Sequence, residues 1–245
     1  MQTRINVAVL ESQQGTVDGY TYRLNMVPEV KVVATCLYAD ELESFLGKEP
    51  INLLITGVDV YVSRNNRNPF PILYFISEQK KLYPGLKFLI ISCVNHPQLI
   101  KELIEAGING FILKDDQQSI QRLGNIVKMV ADGGVYFSDG LMQNFFSKMP
   151  SMILTKRQLE VITLCAAYPD EDTYNLAKRL NISGSTLRNI LSSTYEKLGV
   201  RTRTSAILKV RQMGIIPLGS PSENYRFEEN NFGDNASNIK TSTSA

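Results

Sequence analysis

Residues that build metal or disulfide sites are scarce in this sequence. Its 245 residues include no tryptophan, one histidine (His96) and three cysteines. Cys36, Cys93 and Cys165 are far apart, and each lies in an apolar stretch, which predicts reduced, buried side chains rather than a disulfide. Because no cysteines or histidines show C-x-x-C spacing, we expect no metal site and no cofactor.

Long apolar runs are also missing. No stretch approaches the roughly 20 apolar residues of a membrane-spanning helix. The N-terminus lacks the charged and apolar segments of a leader peptide. We therefore expect a soluble, unprocessed cytoplasmic protein without a membrane partner.

The net charge is only +2, but it is unevenly distributed. Residues 151–216 contain ten Lys and Arg against five Asp and Glu, whereas residues 217–245 contain two against four. A basic block beside near-neutral flanks indicates a phosphate-binding module joined to another domain. The chain length suits two small domains.

Short β-branched apolar runs alternate with helix-length segments over residues 1–130. The predicted strands are Ile5–Leu10, Lys31–Cys36, Ile51–Thr56, Phe88–Ser92 and Gly110–Lys114, and predicted helices include Ala39–Leu46, Ile72–Lys81, Pro97–Ala106 and Ser119–Ala131. Such alternation predicts a parallel sheet with helices on both faces. We expect a five-stranded, flavodoxin-like α/β domain with its functional groups at the carboxyl ends of the strands.

Residues 151–216 predict a helix-turn-helix unit. In LAKRLNISGSTLRNILSSTYEKLGV, Ser183 can cap the start of a second helix and Gly199 can end it. The outer face of that helix is polar and cationic, as required for entry into the major groove. Arg188 and Asn189 are the candidates for base contacts. A solvent-exposed amphipathic helix without DNA contacts is the alternative reading.

The same region resembles the four-helix DNA-binding domain of the LuxR/NarL family. LTKRQLEV, then LAKRLNIS, Thr186 and KLGV match the family pattern over about sixty residues. Asn175 and Ile190 depart from the usual Glu and His, and the turn Pro169–Tyr174 is longer and more acidic. The resemblance implies double-stranded DNA contacts from Lys178, Arg179, Ser183, Ser185, Thr186, Arg188, Asn189, Ser192, Lys197 and Arg203.

The N-terminal region resembles the receiver domain of two-component response regulators. In that family an Asp after strand three accepts a phosphoryl group, two acids after strand one help to bind Mg²⁺, and a Lys and a Ser or Thr contact the phosphoryl oxygens. Here Thr56 occupies the Asp position, and Thr cannot form the mixed anhydride. The resemblance implies a degenerate receiver pocket of Glu11, Ser12, Thr56, Ser92, Phe111 and Lys114.

Several of these pocket residues have purely structural roles as alternatives. Lys114 can simply pair with Glu11, Ser92 can satisfy backbone groups at a strand end, and Phe111 fits a packed aromatic better than a moving switch. Asp59 is a poor substitute acceptor because we expect it in the loop, away from Lys114.

The segment between residues 57 and 71 is about eight residues longer than is usual for the family, and its RNNRNP stretch predicts a surface loop. It could block phosphodonors, form a contact surface or be a neutral insertion. We assign residues 131–150 to a linker with a short helix near Leu141–Phe146, and residues 217–245 to a disordered tail.

Together these features predict a transcriptional regulator whose receiver accepts no phosphoryl group at the usual position and is controlled by protein or ligand contacts. We expect a homodimer or a heterodimer with another regulator, with RNA polymerase as a further candidate partner. No enzymatic activity is expected, since no strand end presents a nucleophile–base pair. The alternative is an interaction protein that sequesters another regulator without binding DNA.

Overall fold

The computed structural model describes residues 4–48, 50–141 and 153–217. Its N-terminal domain is built on a six-stranded, wholly parallel sheet with the strand order β2-β1-β3-β4-β5-β6. The strands are β1 Ile5–Leu10, β2 Val30–Cys36, β3 Leu53–Thr56, β4 Lys87–Ser92, β5 Gly110–Leu113 and β6 Tyr136–Phe137. The helices of this domain are α1 Gln14–Asn25, α2 Ala39–Glu43, α3 Ile72–Leu82, α4 Pro97–Glu105, α5 Gln117–Gln121 and α6 Leu123–Ala131.

The parallel α/β architecture predicted from the sequence is confirmed, with two differences. A sixth strand, β6, pairs with β5 through Gly110–Tyr136 and Phe111–Phe137 and lies in the stretch assigned to a linker. Its two residues are too few to produce an apolar run. The helix predicted over Ser119–Ala131 is divided in two at Arg122, whose backbone is not helical.

Both faces of the sheet are buried, which explains the nearly continuous apolar strands. Alternate residues of β1 illustrate this arrangement. Val7 and Val9 belong to the cluster packed under α1 and α6, whereas Ala8 and Leu10 belong to the cluster packed under α2, α3 and α4. The carboxyl ends of the strands therefore remain at one edge of a rigid layer.

The C-terminal domain contains four helices, as predicted. They are α7 Lys156–Ala167, α8 Thr173–Arg179, α9 Gly184–Leu198 and α10 Arg203–Gln212. The Ser183 hydroxyl accepts a hydrogen bond from the Thr186 amide (3.1 Å), and Gly199 ends α9 in the left-handed conformation (φ 66°). Both predicted caps of α9 are confirmed. The turn between α8 and α9 contains Asn181 at φ 52°, a conformation that Asn tolerates better than most residues.

Helix α7 lies at the contact between the two domains. Every residue from Gln158 to Ala167 is buried, because one side packs on α9 and α10 and another contacts α3. The hydroxyl of Tyr74 on α3 donates to the carbonyl of Arg179 (2.6 Å), and the Ser77 hydroxyl donates to the Glu160 carboxylate (3.2 Å). Ten consecutive buried residues require partners on more than one side of the helix.

The segment after α10 completes this contact. Ile215 and Ile216 are buried and line a small interdomain cavity with Leu73 of α3 and Leu99 of α4. On α4, the side-chain amide of Gln98 donates to the Leu154 carbonyl. The DNA-binding module predicted from the sequence is thus held against the α/β domain through its first helix and its C-terminal end.

A buried carboxyl group lies beside this contact. Glu102 is one helical turn after Gln98 on α4 and is completely buried, and neither of its carboxylate oxygens has a hydrogen-bond partner among the described residues. Burial raises the pKa of Glu102, and the charge of Glu105 raises it further, whereas Lys156 and Lys101 lower it and Glu160 raises it. The charged form of Glu102 therefore opposes folding of this region.

This burial makes the contribution of Glu102 to stability dependent on pH. Since its folded-state pKa is raised, the stability associated with its protonated form is present below the ordinary carboxyl pKa and is lost as the pH rises through the folded value. Glu102→Gln should therefore raise the free energy of unfolding by about 1–2 kcal/mol at pH 8 and by much less near pH 4. Urea denaturation at both pH values measures the difference. Glu105→Gln, which alters an exposed carboxylate on the same helix, is the matched control, and an equal effect of Glu102→Gln at both pH values would contradict the prediction.

The cysteine predictions were partly correct. All three cysteines are free, and Cys36 and Cys165 are buried as expected, but Cys93 is exposed. Cys93 immediately follows the last residue of β4, where the chain leaves the sheet. Within the described ranges, no group of three or more Cys, His, Asp or Glu side chains could hold a metal ion, and no helix has the length and apolar character needed to cross a membrane. The helix predicted near Leu141–Phe146 and the tail beyond Pro217 lie outside the described residues.

Candidate nucleic-acid interface and receiver pocket

The outer face of α9 is open to solvent. Helix α9 is anchored by Leu187, Leu191 and Leu198, which are buried at helical spacing against α7, α8 and α10. The following α9 residues before and between these leucines are exposed: Ser185, Thr186, Arg188, Asn189 and Ser192. The contact with the α/β domain leaves this face uncovered. It therefore combines one cation, one amide and three hydroxyl groups on an accessible helix.

Hydroxyl groups cluster at the N-terminus of α9. The Ser183 oxygen lies 2.8 Å from both the Ser185 and the Thr186 hydroxyl oxygens. The free amides and positive dipole of a helix N-terminus favour an anion. The structure thus brings the predicted phosphate-contacting and base-contacting residues of α9 onto one continuous surface.

The remaining predicted DNA-contacting residues are in different situations. Lys178, in the last turn of α8, is exposed. Lys197 is also exposed, and its ammonium donates to the side-chain oxygen of Gln158 (3.0 Å). The Arg179 guanidinium binds the Glu171 carboxylate at 2.7–3.0 Å and stacks on the Tyr168 ring at 3.8 Å. Its hydrogen bond to Glu171 raises the pKa of Arg179 despite partial burial.

Arg203 also makes hydrogen bonds within its own domain. Its guanidinium donates to the carbonyl oxygens of Glu171 (2.7 Å) and Pro169 (2.8 Å). Arg203 and Arg179 together fasten the long acidic turn Pro169–Tyr174 that distinguishes this chain from the family pattern. That turn is therefore compatible with the four-helix fold. Both arginines already have protein partners, and the geometry favours Lys178 over them as a phosphate contact.

In the N-terminal α/β domain, the predicted pocket forms at the carboxyl ends of the strands. Glu11 follows β1, Thr56 ends β3, Ser92 ends β4 and Lys114 follows β5. Because parallel strands end at a common edge, these residues from distant parts of the sequence converge. Ser12 borders the pocket with a hydroxyl 3.4 Å from the Glu11 carboxylate. Phe111 is completely buried.

Lys114 is the central charge of the pocket. Its ammonium lies 2.9 Å from the carboxylate of Glu11 and 3.1 Å from that of Asp59, and its side chain is only 14% exposed. Burial alone would lower the pKa of Lys114, but the two carboxylates outweigh it and the pKa is raised. Glu11 is 2% exposed, so the ammonium compensates a carboxylate that has almost no access to water.

The expectation that Asp59 lies away from Lys114 was wrong. The chain turns back after β3, and Asp59 reaches both Lys114 and the Ser92 hydroxyl, which donates to its other carboxylate oxygen (3.2 Å). The chain bends at Val58 and Asp59. A β-carbon added at Gly57 would lie 2.8 Å from the Asp59 carboxylate, so the missing side chain provides the space. No periodic pattern in the sequence predicts such a bend.

Thr56, the residue predicted at the acceptor position, is buried. It is 1% exposed, and its hydroxyl donates to the Gly57 carbonyl (3.1 Å). The side chain is thus held against its own backbone.

Comparison with known proteins identifies the C-terminal domain. The profile described as "Bacterial regulatory proteins, luxR family" matches residues 152–210. The spore germination protein GerE of Bacillus subtilis is 39% identical over 66 residues, which are 27% of this chain and 86% of that protein. The chain belongs to the luxR family. Similarity extends beyond this domain: the transcriptional regulatory protein DesR of Bacillus subtilis is 26% identical over 210 residues, which cover 86% of this luxR-family chain and 98% of DesR.

Solved structures match both domains of the luxR-family chain. RcsB from Salmonella enterica serovar Typhimurium, bound to promoter P1flhDC with phosphomimetic BeF3−, is 20% identical with a TM-score of 0.61 and covers 85% of this chain and 99% of that one. The complex of the same protein with promoter rprA has a TM-score of 0.58. These matches show the fold: a receiver-like domain followed by a LuxR-type helical domain. The sequence relatives include transcriptional regulatory proteins and a response regulator, and they support a role in transcription regulation.

Proposed function

We propose that this chain is a DNA-binding transcription regulator whose receiver-like domain takes no phosphoryl group at the Thr56 position and is controlled by protein or ligand contacts. The exposed polar face of α9 carries the proposal. Arg188 pairs geometrically with guanine and Asn189 with adenine in the major groove, while the hydroxyl cluster and Lys178 contact phosphates.

A twofold dimer is the form in which we expect it to bind. Related RcsB structures are described as dimers bound to DNA, and a dimer of helix-turn-helix units reads two half-sites about one helical turn apart. Homodimers and heterodimers with another regulator both satisfy this geometry.

The pocket supports control without phosphoryl transfer. Thr56 is buried and engaged with its own backbone, and Lys114 already compensates two carboxylates. The Thr56 hydroxyl is therefore not free to act as an acceptor, and the Lys114 ammonium is not free to bind phosphoryl oxygens. The input must then act through another surface, for which a protein or ligand contact is the simplest means.

Selection of bound duplexes from a random pool tests DNA binding directly. The full chain should enrich a paired motif whose half-sites are separated by about 10 base pairs or a multiple. A variant with Arg188, Asn189 and Ser192 replaced by alanine is the matched control and should enrich no motif. Absence of enrichment by the unaltered chain would contradict DNA reading and favour a protein that sequesters another regulator.

A further inference from the structure

Asp59 contacts the two side chains that the receiver resemblance assigns to the oxygens of a phosphoryl group. In that family the Lys after strand five and the Ser or Thr after strand four contact the oxygens of the phosphoryl group. Here the corresponding Lys114 and Ser92 contact the two carboxylate oxygens of Asp59 at 3.1 and 3.2 Å. Both groups are already bound to an internal anion.

The backbone holds Asp59 in this position. The Ser12 hydroxyl lies 3.4 Å from the Asp59 carbonyl. Val58 and Val60, on either side of Asp59, are buried at 3% and 0% exposure. Two buried neighbours fix the direction of the side chain between them, so the carboxylate is aimed at the pocket by packing as well as by charge.

The loop that follows Asp59 reaches the DNA-binding domain. Residues 60–70 form a narrow hairpin in which the Phe70 amide donates to the Val60 carbonyl (2.8 Å) and the Val62 amide to the Asn68 carbonyl (3.2 Å). At its tip, the side-chain amide of Asn66 donates to the carbonyl of Ala167, the last residue of α7 (2.9 Å). One continuous, hydrogen-bonded segment therefore connects the pocket with the helical domain.

The hairpin is also tied to the α/β domain. The amides of Ala39 and Asp40 donate to the carbonyl oxygens of Tyr61 and Val62, both at 3.0 Å. These bonds fix the half of the hairpin next to Asp59 to the same domain as the pocket, while its tip contacts α7.

We propose that Asp59 is a built-in substitute for the phosphoryl group, which holds the receiver-like domain in one state and, through the 60–70 hairpin, holds the DNA-binding domain against it. This inference rests on the proposed function only in that Thr56 accepts no phosphoryl group. The chain would then need no phosphodonor to adopt this arrangement.

Hydrogen exchange of the full chain tests the substitute role. Asp59→Ala should speed exchange of the Val62 and Phe70 amides by about tenfold or more, because opening of the hairpin becomes easier. Gly57→Ala should do the same while keeping the carboxylate, since its β-carbon would collide with Asp59. Asp18→Ala, which removes an exposed carboxylate on α1, is the matched control and should change neither amide. Unchanged amides of β1 and β4 would show that each variant is folded.

Incubation with radiolabelled acetyl phosphate and Mg²⁺ completes the experiment. We expect no stable label on the unaltered chain. Unchanged hairpin exchange in both Asp59→Ala and Gly57→Ala would overturn the inference and leave the proposed function standing. Label that disappears in Asp59→Ala would make Asp59 an acceptor and would also overturn the inference. Label that survives in Asp59→Ala but disappears in Thr56→Ala would reject the proposed function, and the exchange comparison would still decide the role of Asp59.

Discussion

Lys114→Met should lower the free energy of unfolding by about 3–5 kcal/mol at neutral pH, because removing one member of a buried ion pair leaves the other charge without compensation. Glu11 is 2% exposed, and its carboxylate lies 2.9 Å from the Lys114 ammonium. Asp59 loses the same partner. Methionine has a similar length, so the loss reports the charge rather than an empty volume.

The free energy of unfolding of the Lys114→Met variant should depend on pH. Without the ammonium, the charge of the buried Glu11 carboxylate would be uncompensated, and protonation would remove that charge. The variant should then recover stability as the pH falls toward about 4, where the carboxyl becomes protonated. Urea denaturation of the variant and the unaltered chain between pH 4 and 8 measures this recovery.

Lys128→Met provides the control for Lys114→Met. Lys128 pairs with Glu29, but its side chain is 46% exposed, so solvent screens the pair and its removal should change stability little. Adding Glu11→Gln to Lys114→Met should restore part of the lost stability, because the uncompensated charge is then gone. Equal losses for the two lysine variants, or a loss at position 114 that is flat with pH, would show that Lys114 is not the central charge of the pocket.

The sequence predicted well those features that depend on neighbouring residues. The apolar runs of β1 to β5 and the caps at Ser183 and Gly199 are local signals, and the structure agrees with each of them. The exposed face of α9 follows from the same helical spacing, because burying Leu187 and Leu191 turns Arg188 outward.

Two features that depend on contacts between distant parts of the chain were not predicted. The docking of α7 on α3 requires two domains to meet, although the largely apolar VITLCAA stretch of α7 is a signal that more than one of its sides is covered. The segment after β3 was read as a surface loop from its RNNRNP stretch. Its tip is exposed at Arg64 and Arg67, but the preceding Val58, Val60 and Val62 are buried. Their alternate spacing is a strand-like pattern that could have been recognised.

The pocket contains residues that the sequence placed correctly and one, Asp59, that it did not. The strand-end positions of Glu11, Ser92 and Lys114 placed them together correctly, since the edge of a parallel sheet is a regular structure. Asp59 joins them because the chain bends at Val58 and Asp59, and its carboxylate uses space that a β-carbon at Gly57 would fill. The periodicity of a strand does not predict how the chain bends after the strand ends.

The effect of Arg188→Ala on DNA specificity tests the central claim most directly. The Arg188 side chain is exposed near the N-terminus of α9, and loss of a paired hydrogen bond to guanine costs about 1–3 kcal/mol. The variant should therefore bind the selected duplex about 5 to 150 times more weakly. Its affinity for a scrambled duplex should change much less.

Lys178→Ala is the matched control for this measurement. Lys178 is exposed on the neighbouring helix α8, and loss of a phosphate contact should weaken binding to both duplexes alike and reduce the slope of log affinity against log salt by about one. The decisive quantity is the ratio of the dissociation constants for scrambled and selected duplexes. We predict that Arg188→Ala lowers this ratio at least about fivefold and that Lys178→Ala leaves it unchanged. An unchanged ratio in Arg188→Ala would contradict the claim that the exposed face of α9 reads the bases.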